Sequence, residues 1–406
     1  MKVTTIIAEY NPFHKGHEYQ LMHAKESTGA DYILVIMSGD FTQRGEPAVI
    51  DKYTRAKMAV MNGADLVIEL PLYYATGSAE YFAKGAVSLL QKLGMVNYLA
   101  FGSECGDTGP LTKIADLLAF PSDKLTESIS SYIKTGMTFP KARMTALCDL
   151  YPDEPGMAEI LSSPNNILGI EYIKALKQLN SDIIPFTTKR KGAGYNDSAL
   201  SGDYVSALSV REAFDRGLTP DLLNKELPKA CLDILSAEQG KSFPVTLNDF
   251  SDMLLYKLMS ERHMGFASYF DVTKDLSDRI CNHLEQYKNP RSFIELLKTK
   301  ELTYTRISRA LLHILLNIKE TDIDSQPYYG RVLAAKKESL PLISMITKTS
   351  CIPLITRFSD TKSITDPVAQ NQLLSDMNAD ALYQAVVSQK FHTEFRNENK
   401  RRILFL

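Results

Sequence analysis

The chain has 406 residues, enough for two domains, with an ordinary apolar fraction and ample Tyr and Phe for large cores. Its 46 Lys and Arg against 48 Asp and Glu leave a formal net charge of −2, which excludes polyanion binding through overall charge and leaves only a local basic face. Five scattered cysteines (Cys105, Cys148, Cys231, Cys281, Cys351) have no metal-ligand spacing. With no signal-peptide pattern and no apolar run long enough for a bilayer, they point to a reduced, soluble, cytoplasmic protein.

In chain order, TTIIAEY (4–10) is a β-branched run that reads as a buried strand, and EYQLMHAKEST (18–28) reads as a helix. DYILVIMSG (31–39) is a second strand. DKYTRAKMAVMNG (51–63) is a helix ending on Gly63, with its basic residues expected on a polar face. DLVIELP (65–71), AEYFAKGAVSLLQKLG (79–94) and NYLAFGSE (97–104) continue as strand, helix and strand. This alternation predicts an α/β fold with a parallel sheet covered on both faces. Residues 108–160 break the rhythm as a helical insertion. NNILGIEYIKALKQL (165–179) is a helix, DIIPFTTKR (182–190) a fifth strand, residues 191–206 a Gly- and Ser-rich loop, and ALSVREAFDRG (207–217) a helix. Beyond Pro220 nearly all signals are amphipathic helices, with one short strand signal near Pro353. The expected division is therefore a sheet domain over 1–217 and a mostly helical domain over 218–406.

The candidate chemistry collects beyond the C-terminal ends of strands, where open α/β sheets bind ligands. His14 and His17 flank Gly16 at the turn after the first strand. A capping histidine and a surface histidine are the ordinary alternative. The position favours a phosphate held by both imidazoles and by free N–H groups of the helix end. Zinc is disfavoured, because no third ligand is evident. After the second strand come Ser38, Asp40, Thr42, Gln43 and Arg44, with Arg44 suited to an anion and Asp40 to orienting a base. Gly102 and Ser103 follow the fourth strand. Lys189, Arg190 and Lys191 end the fifth. Ser206, Ser209 and Arg211 stand before and inside a helix as phosphate candidates, or as an ordinary N-cap and a surface arginine. In the second half, Lys298, Lys300, Arg306, Arg309 and His313, together with Arg331, interleave with Tyr304, Tyr328 and Tyr329. That mixture suits RNA, or merely a solvated face.

FHKGH resembles the H-x-G-H motif of the nucleotidylyltransferase superfamily, and VSALSVR (205–211) resembles its degenerate S-x-x-S-x-x-R motif. A narrower resemblance rests on EYNPFHKGHEYQ, the block from Met37 to Pro71, FGSE, SPNNILGIEYIKAL and RISRALLHILL. Together these are similar to the bacterial tRNA(Met) cytidine acetate ligase family along the whole chain. Lys15 stands where many members carry Asn. The resemblance implies a Rossmann-like nucleotidylyltransferase (HUP-type) domain followed by a tRNA-binding domain. It implies a ligase that activates acetate with ATP, with Mg²⁺ as a candidate companion, and acetylates the wobble cytidine of elongator tRNA(Met). It carries ATP contacts onto Ile7, Ala8, Glu9, Tyr10, Asn11, Pro12, Phe13, His14, Lys15, Gly16, His17, Glu18, Tyr19, Gln20, Gly102, Asn165, Asn166 and Arg190. His14, His17 and Asp40 are then the catalytic candidates, and Lys298, Lys300, Arg306, Arg309 and Arg331 the tRNA candidates. Two alternatives stay open: a nucleotidylyltransferase adenylating a small phosphorylated metabolite, and a non-catalytic RNA-binding protein on the same scaffold.

Overall fold

A computed structural model describes residues 1–154, 156–190, 206–322 and 326–406. The loop expected over 191–206, with Lys191, lies outside them except for Ser206.

Strands β1 (Val3–Ala8), β2 (Tyr32–Ser38), β3 (Leu66–Leu70), β4 (Tyr98–Ser103) and β5 (Ile184–Lys189) form a parallel sheet in the order β5-β4-β1-β2-β3. The strand order reverses beside β1, so the turn after β1 opens at a switch point. Period-two alternation sets the two faces. Leu34 and Ile36 point into one core, and Ile33, Val35 and Met37 into the other. Helices α1 (Lys15–Thr28), α2 (Lys52–Met61), α3 (Leu72–Ala75) and α4 (Ala79–Leu93) connect the first four strands. Helices α5 (Thr108–Ala119), α6 (Asp123–Lys134), α7 (Phe139–Leu150), α8 (Met157–Ser162) and α9 (Pro164–Gln178) lie between β4 and β5, with α5–α8 filling the expected helical insertion. Helix α10 (Ala207–Asp215) and helix α11 (Lys229–Glu238) follow β5, and both pack under the β2 side of the sheet.

Helices α12 (Ser251–Glu261), α13 (Lys274–His283), α14 (Pro290–Leu297) and α15 (Tyr304–Leu315) then build a core of their own around Leu258, Phe266, Ile280, Phe293 and Ile307. The rest of the chain returns to the sheet, of which the sequence announced only the short strand near Pro353. Strand β6 (Gly330–Ala335) pairs antiparallel with β3, and β7 (Leu354–Ile355) and β8 (Leu404–Phe405) both pair with β6. Helix α16 (Leu340–Thr349) joins β6 to β7. Helix α17 (Pro367–Phe391) is the longest of the molecule and packs on α3. It buries Gln372, Asp376, Asp380 and Gln384 along with its apolar residues, so it shows no apolar stripe to read.

A buried charge network fastens this return. Lys52 Nζ lies 2.9 Å from Glu69 on β3, 3.1 Å from Glu398 and 3.8 Å from Asp380. Arg331 on β6 pairs with Glu398 and lies 3.9 Å from Glu69. Burial alone would lower the Lys52 ammonium, but Glu398, Glu69 and Asp380 outweigh it and hold it well above the usual lysine range. Asp380 is pushed up by burial, against the pull of Lys52, and its neighbours Asp40 and Glu398 push it the same way as burial. The expected polar face of α2 is therefore corrected: Lys52 and Arg55 are 1% and 0% exposed.

Candidate active site

The chain leaves β1 through Tyr10, whose φ of +47° bends it into the turn, and Asn11 Oδ1 fixes that turn by accepting from Val49 N at 2.8 Å. Arg55, fully buried, ties the ends of β1 and β2 together by donating to the carbonyls of Glu9, Ser38, Gly39 and Ile50. His14 is the N-cap of α1. Its Nδ1 accepts from Gly16 N at 3.1 Å, and its own N–H donates to His17 Nδ1 at 3.2 Å. This reciprocal cap is built from two histidines rather than a Ser and a Glu.

The cap fixes the chemistry of both rings. Each Nδ1 is an acceptor, so each neutral imidazole carries its hydrogen on Nε2. The rings stack with centroids 3.6 Å apart, and Tyr10 packs edge-on to His17. Burial lowers His14 to about 3, and the charges of Arg190 and Arg211 add to the effect. His17 is lowered well below its ordinary range by burial, then by His14 and Arg190. Both are neutral Nε2–H donors near neutral pH.

The expectation that the α1 end offers free amides is corrected. Lys15 N donates to Glu226 O, Gly16 N to His14 Nδ1, and His17 N and Glu18 N to His14 O. Imidazole, not amide, is what this turn presents. At α10, Ser206 Oγ accepts from Ser209 N at 3.1 Å. The amides of Ala207 and Leu208 have no acceptor among the described residues, and both residues face the cleft.

A cleft of about 180 Å³ opens at this edge. Of the segment 7–20, Ile7, Ala8, Glu9, Tyr10, Asn11, His14, His17 and Gln20 line it. Pro12, Phe13, Lys15, Gly16, Glu18 and Tyr19 do not: Phe13 is core, and Lys15 Nζ donates to Asn224 O at 3.1 Å. Gly102, Asn165, Arg190, Ser206 and Arg211 join the lining, as do Gln43 and Arg44. Arg211 donates to Asn11 O at 2.8 Å, which places it across the turn from His14.

Asn166 is corrected from ligand contact to scaffold. It is 2% exposed, and its Oδ1 accepts from the amides of Glu104 and Cys105. Glu104 in turn accepts from the amides of Asn165 and Asn166, closing the end of α9. Ser209 is likewise internal, donating to Ser206 O. Asp40 does not reach the cleft: 4% exposed, it accepts from Lys52 N at 2.6 Å and lies 4.0 Å from Arg55, so it orders the loop after β2.

Phe82, Phe101, Leu168 and Tyr172 form an apolar side of the cleft that composition alone reads as core. The glycine of the α9 motif explains how α9 reaches it. A Cβ on Gly169 would lie 2.5 Å from the Phe101 ring.

The RNA candidates separate. Lys298 and Lys300 are exposed, Lys298 pairing with Glu295 at 3.1 Å, and Arg306 is half-buried. Arg309 is held by Asp271 at 2.8 Å. His313 is fully buried between Phe270 O and Thr76. Arg331 is corrected outright, since it lies in the buried network, and Tyr329 beside it is 1% exposed. Among the described residues, no group of three His, Cys, Asp or Glu is placed to hold a metal ion, and no helix is long and apolar enough to cross a membrane.

The HIGH Nucleotidyl Transferase family model matches residues 1–399. A tRNA(Met) cytidine acetate ligase of Thermoanaerobacter sp. (strain X514) is 43% identical over 369 residues, covering 89% of this chain and 90% of that protein. The ligase of the same name from Caldicellulosiruptor saccharolyticus is 38% identical, covering 100% of this chain and 99% of its own. The crystal structure of Thermotoga maritima TmcAL bound with alpha-thio ATP superposes with a TM-score of 0.91 at 30% identity, and its apo form with 0.93 at 31%, each covering both chains fully.

Proposed function

The chain belongs to the HIGH nucleotidyl transferase family, and from that premise we propose that it is an ATP-dependent ligase that acetylates the wobble cytidine of elongator tRNA(Met). The observation that carries the reading is the histidine cap: two neutral Nε2–H donors beside Arg190 and Arg211 at the switch point of the sheet.

In the first step an acetate oxygen attacks the α-phosphorus of ATP and pyrophosphate leaves. Negative charge grows on the phosphoryl oxygens, where His14 and His17 donate and Arg190, Arg211 and the Ala207 and Leu208 amides add positive potential. The imidazoles move no proton in this step. The product is an acetyl-adenylate, a mixed anhydride sensitive to water, and the apolar side formed by Phe82, Phe101, Leu168 and Tyr172 shields it. In the second step the cytidine amine attacks the acetyl carbon and AMP leaves.

Mg²⁺ would travel on the triphosphate oxygens. Among the described residues, Glu9 is the carboxylate that lines the cleft, and one of its oxygens already accepts from Gln43 N at 2.7 Å. We assign the tRNA to residues 218–406, with Lys298, Lys300 and Arg306 as its phosphate contacts, and the action to the cytoplasm, where that RNA resides. The test is to incubate the protein with ATP, acetate and tRNA. Acetate-dependent pyrophosphate release and acetylcytidine are the expected products, and release that ignores acetate would reject the reading. The small-metabolite alternative predicts turnover without any RNA product.

A further inference from the structure

A second cavity, of about 300 Å³, adjoins the cleft. Arg44, Leu208 and Arg211 line both spaces, so they form a shared wall. The far side belongs to the helical cluster and carries Arg291 and Tyr304. Arg291 pairs with Asp215 at 2.7 Å, and the charge of Glu46 adds to that pull. Glu46 also lines this cavity. It is half-buried, and among the described residues its carboxylate makes no hydrogen bond and no ion pair.

Glu46 sits on a clamped loop. Thr42 donates to Glu46 O through both its amide (2.9 Å) and its hydroxyl (3.0 Å), and Gly45 N returns to Thr42 O at 2.9 Å. Ser308 Oγ on α15 donates to Gly45 O at 2.8 Å. Gly45 has φ +76°, and a Cβ there would stand 2.3 Å from Arg309 N, so the loop lies directly against α15. One short rigid loop thus supplies Arg44 to the shared wall and Glu46 to the space behind it.

We propose that this second cavity receives the acceptor cytosine and that Glu46 is the carboxylate that binds its exocyclic amine and takes its proton; the inference rests on the ligase reading above. Cytosine presents an N–H donor at that position, which a carboxylate oxygen accepts. Uracil presents a carbonyl there, which would face the carboxylate oxygen to oxygen, so the same residue discriminates between the pyrimidines. Tyr304 offers a ring for the extruded base to stack on. The amine nitrogen forms a bond to the acetyl carbon. The bond from that carbon to the bridging oxygen breaks, AMP leaves with the electron pair, and the nitrogen's proton passes to Glu46.

The test compares two half-reactions in the full chain: acetate-dependent ATP–pyrophosphate exchange without tRNA, and acetylcytidine formation on tRNA at saturating ATP and acetate. In Glu46→Gln the ratio of transfer to exchange is expected to fall on the order of a hundredfold. Glu46→Asp should recover part of that ratio. An unchanged ratio in Glu46→Gln, or equal loss in the two half-reactions, would overturn the assignment while leaving the ligase reading intact. Absence of acetylcytidine with the unmodified protein would overturn the ligase reading and this inference together.

Discussion

Two charged places lie near the same edge of the sheet and resolve their charge in opposite directions. In the cleft, burial drives both imidazoles down, helped by Arg190 and Arg211 at His14 and by His14 and Arg190 at His17, so they stay neutral. In the network behind β3, carboxylates outweigh burial and drive Lys52 up, so the ammonium stays charged. The network closes on itself, each cation meeting a carboxylate of another element, and it binds α2, β3, β6, α17 and the C-terminal segment together. The cleft instead presents positive potential and neutral donors to a space of ligand size. Buried charge by itself therefore marks neither a site nor a scaffold; what decides is whether the group borders a space of ligand size.

The sharpest way to break that contrast is Lys52→Ala. It leaves Glu69 and Glu398 in the interior with Arg331 as their remaining cation, and loss of one partner of a buried pair costs about 3–5 kcal/mol. Urea unfolding should show a loss of that size; a change under about 1 kcal/mol would mean that the network behaves like a surface pair.

Next in size is the histidine cap. His14→Ser keeps an N-cap oxygen but lacks the reach of Nε2, and His17→Ala removes the second donor. Removing one such donor costs about 3–4 kcal/mol of transition-state stabilisation, so acetate-dependent pyrophosphate exchange should fall on the order of a hundredfold or more. Unfolding of His14→Ser should stay near that of the parent protein. Near-normal exchange in both variants would place the phosphoryl contacts elsewhere.

The contrast also explains what the sequence disclosed. β1 to β5 are continuous β-branched or apolar runs, so period and composition reveal them, and the H-x-G-H turn is local in sequence. β6 carries Arg331 and is followed directly by Lys336 and Lys337, and its partner β3 lies more than 250 residues earlier, so it reads as a basic-aromatic surface. Lys52, Glu69, Asp380 and Glu398 are spread over most of the chain, and each alone looks like an ordinary surface charge. The apolar side of the cleft is hidden for the opposite reason: Phe101 and Tyr172 are core residues in every respect except that one side meets the cleft. A motif local in sequence carries its own signal, whereas charges and rings assembled from distant elements carry none until the fold brings them together.

A smaller effect separates solvated cations from the network. Lys298→Gln, Lys300→Gln and Arg306→Gln should each weaken tRNA binding modestly and flatten the slope of log affinity against log salt by about 1. Arg331→Met should lower stability and leave that slope unchanged. A shift of the slope in Arg331→Met would reveal that the network opens to RNA.

The smallest effect is an absence of change in the pH profile. An unperturbed imidazole titrates near 6.5, but burial and the adjoining arginines hold His14 at about 3 and His17 lower than usual. The profile of kcat/KM for ATP reports groups of the free protein. It should therefore show no limb from these two residues between about pH 5 and 8. Folding stability has the opposite visibility. The unfolded chain takes up protons on these imidazoles as pH falls through about 6.5, while the folded chain does not. Their contribution is thus fully present above that pH and is lost progressively as pH falls towards 3. Denaturation midpoints measured from pH 7.5 down to 5 should decline, and less steeply in His14→Ser. A limb near 6.5 in the profile for ATP that vanished in His14→Ser would show that the imidazole is charged when ATP arrives, and the two charged places would then follow one rule instead of two.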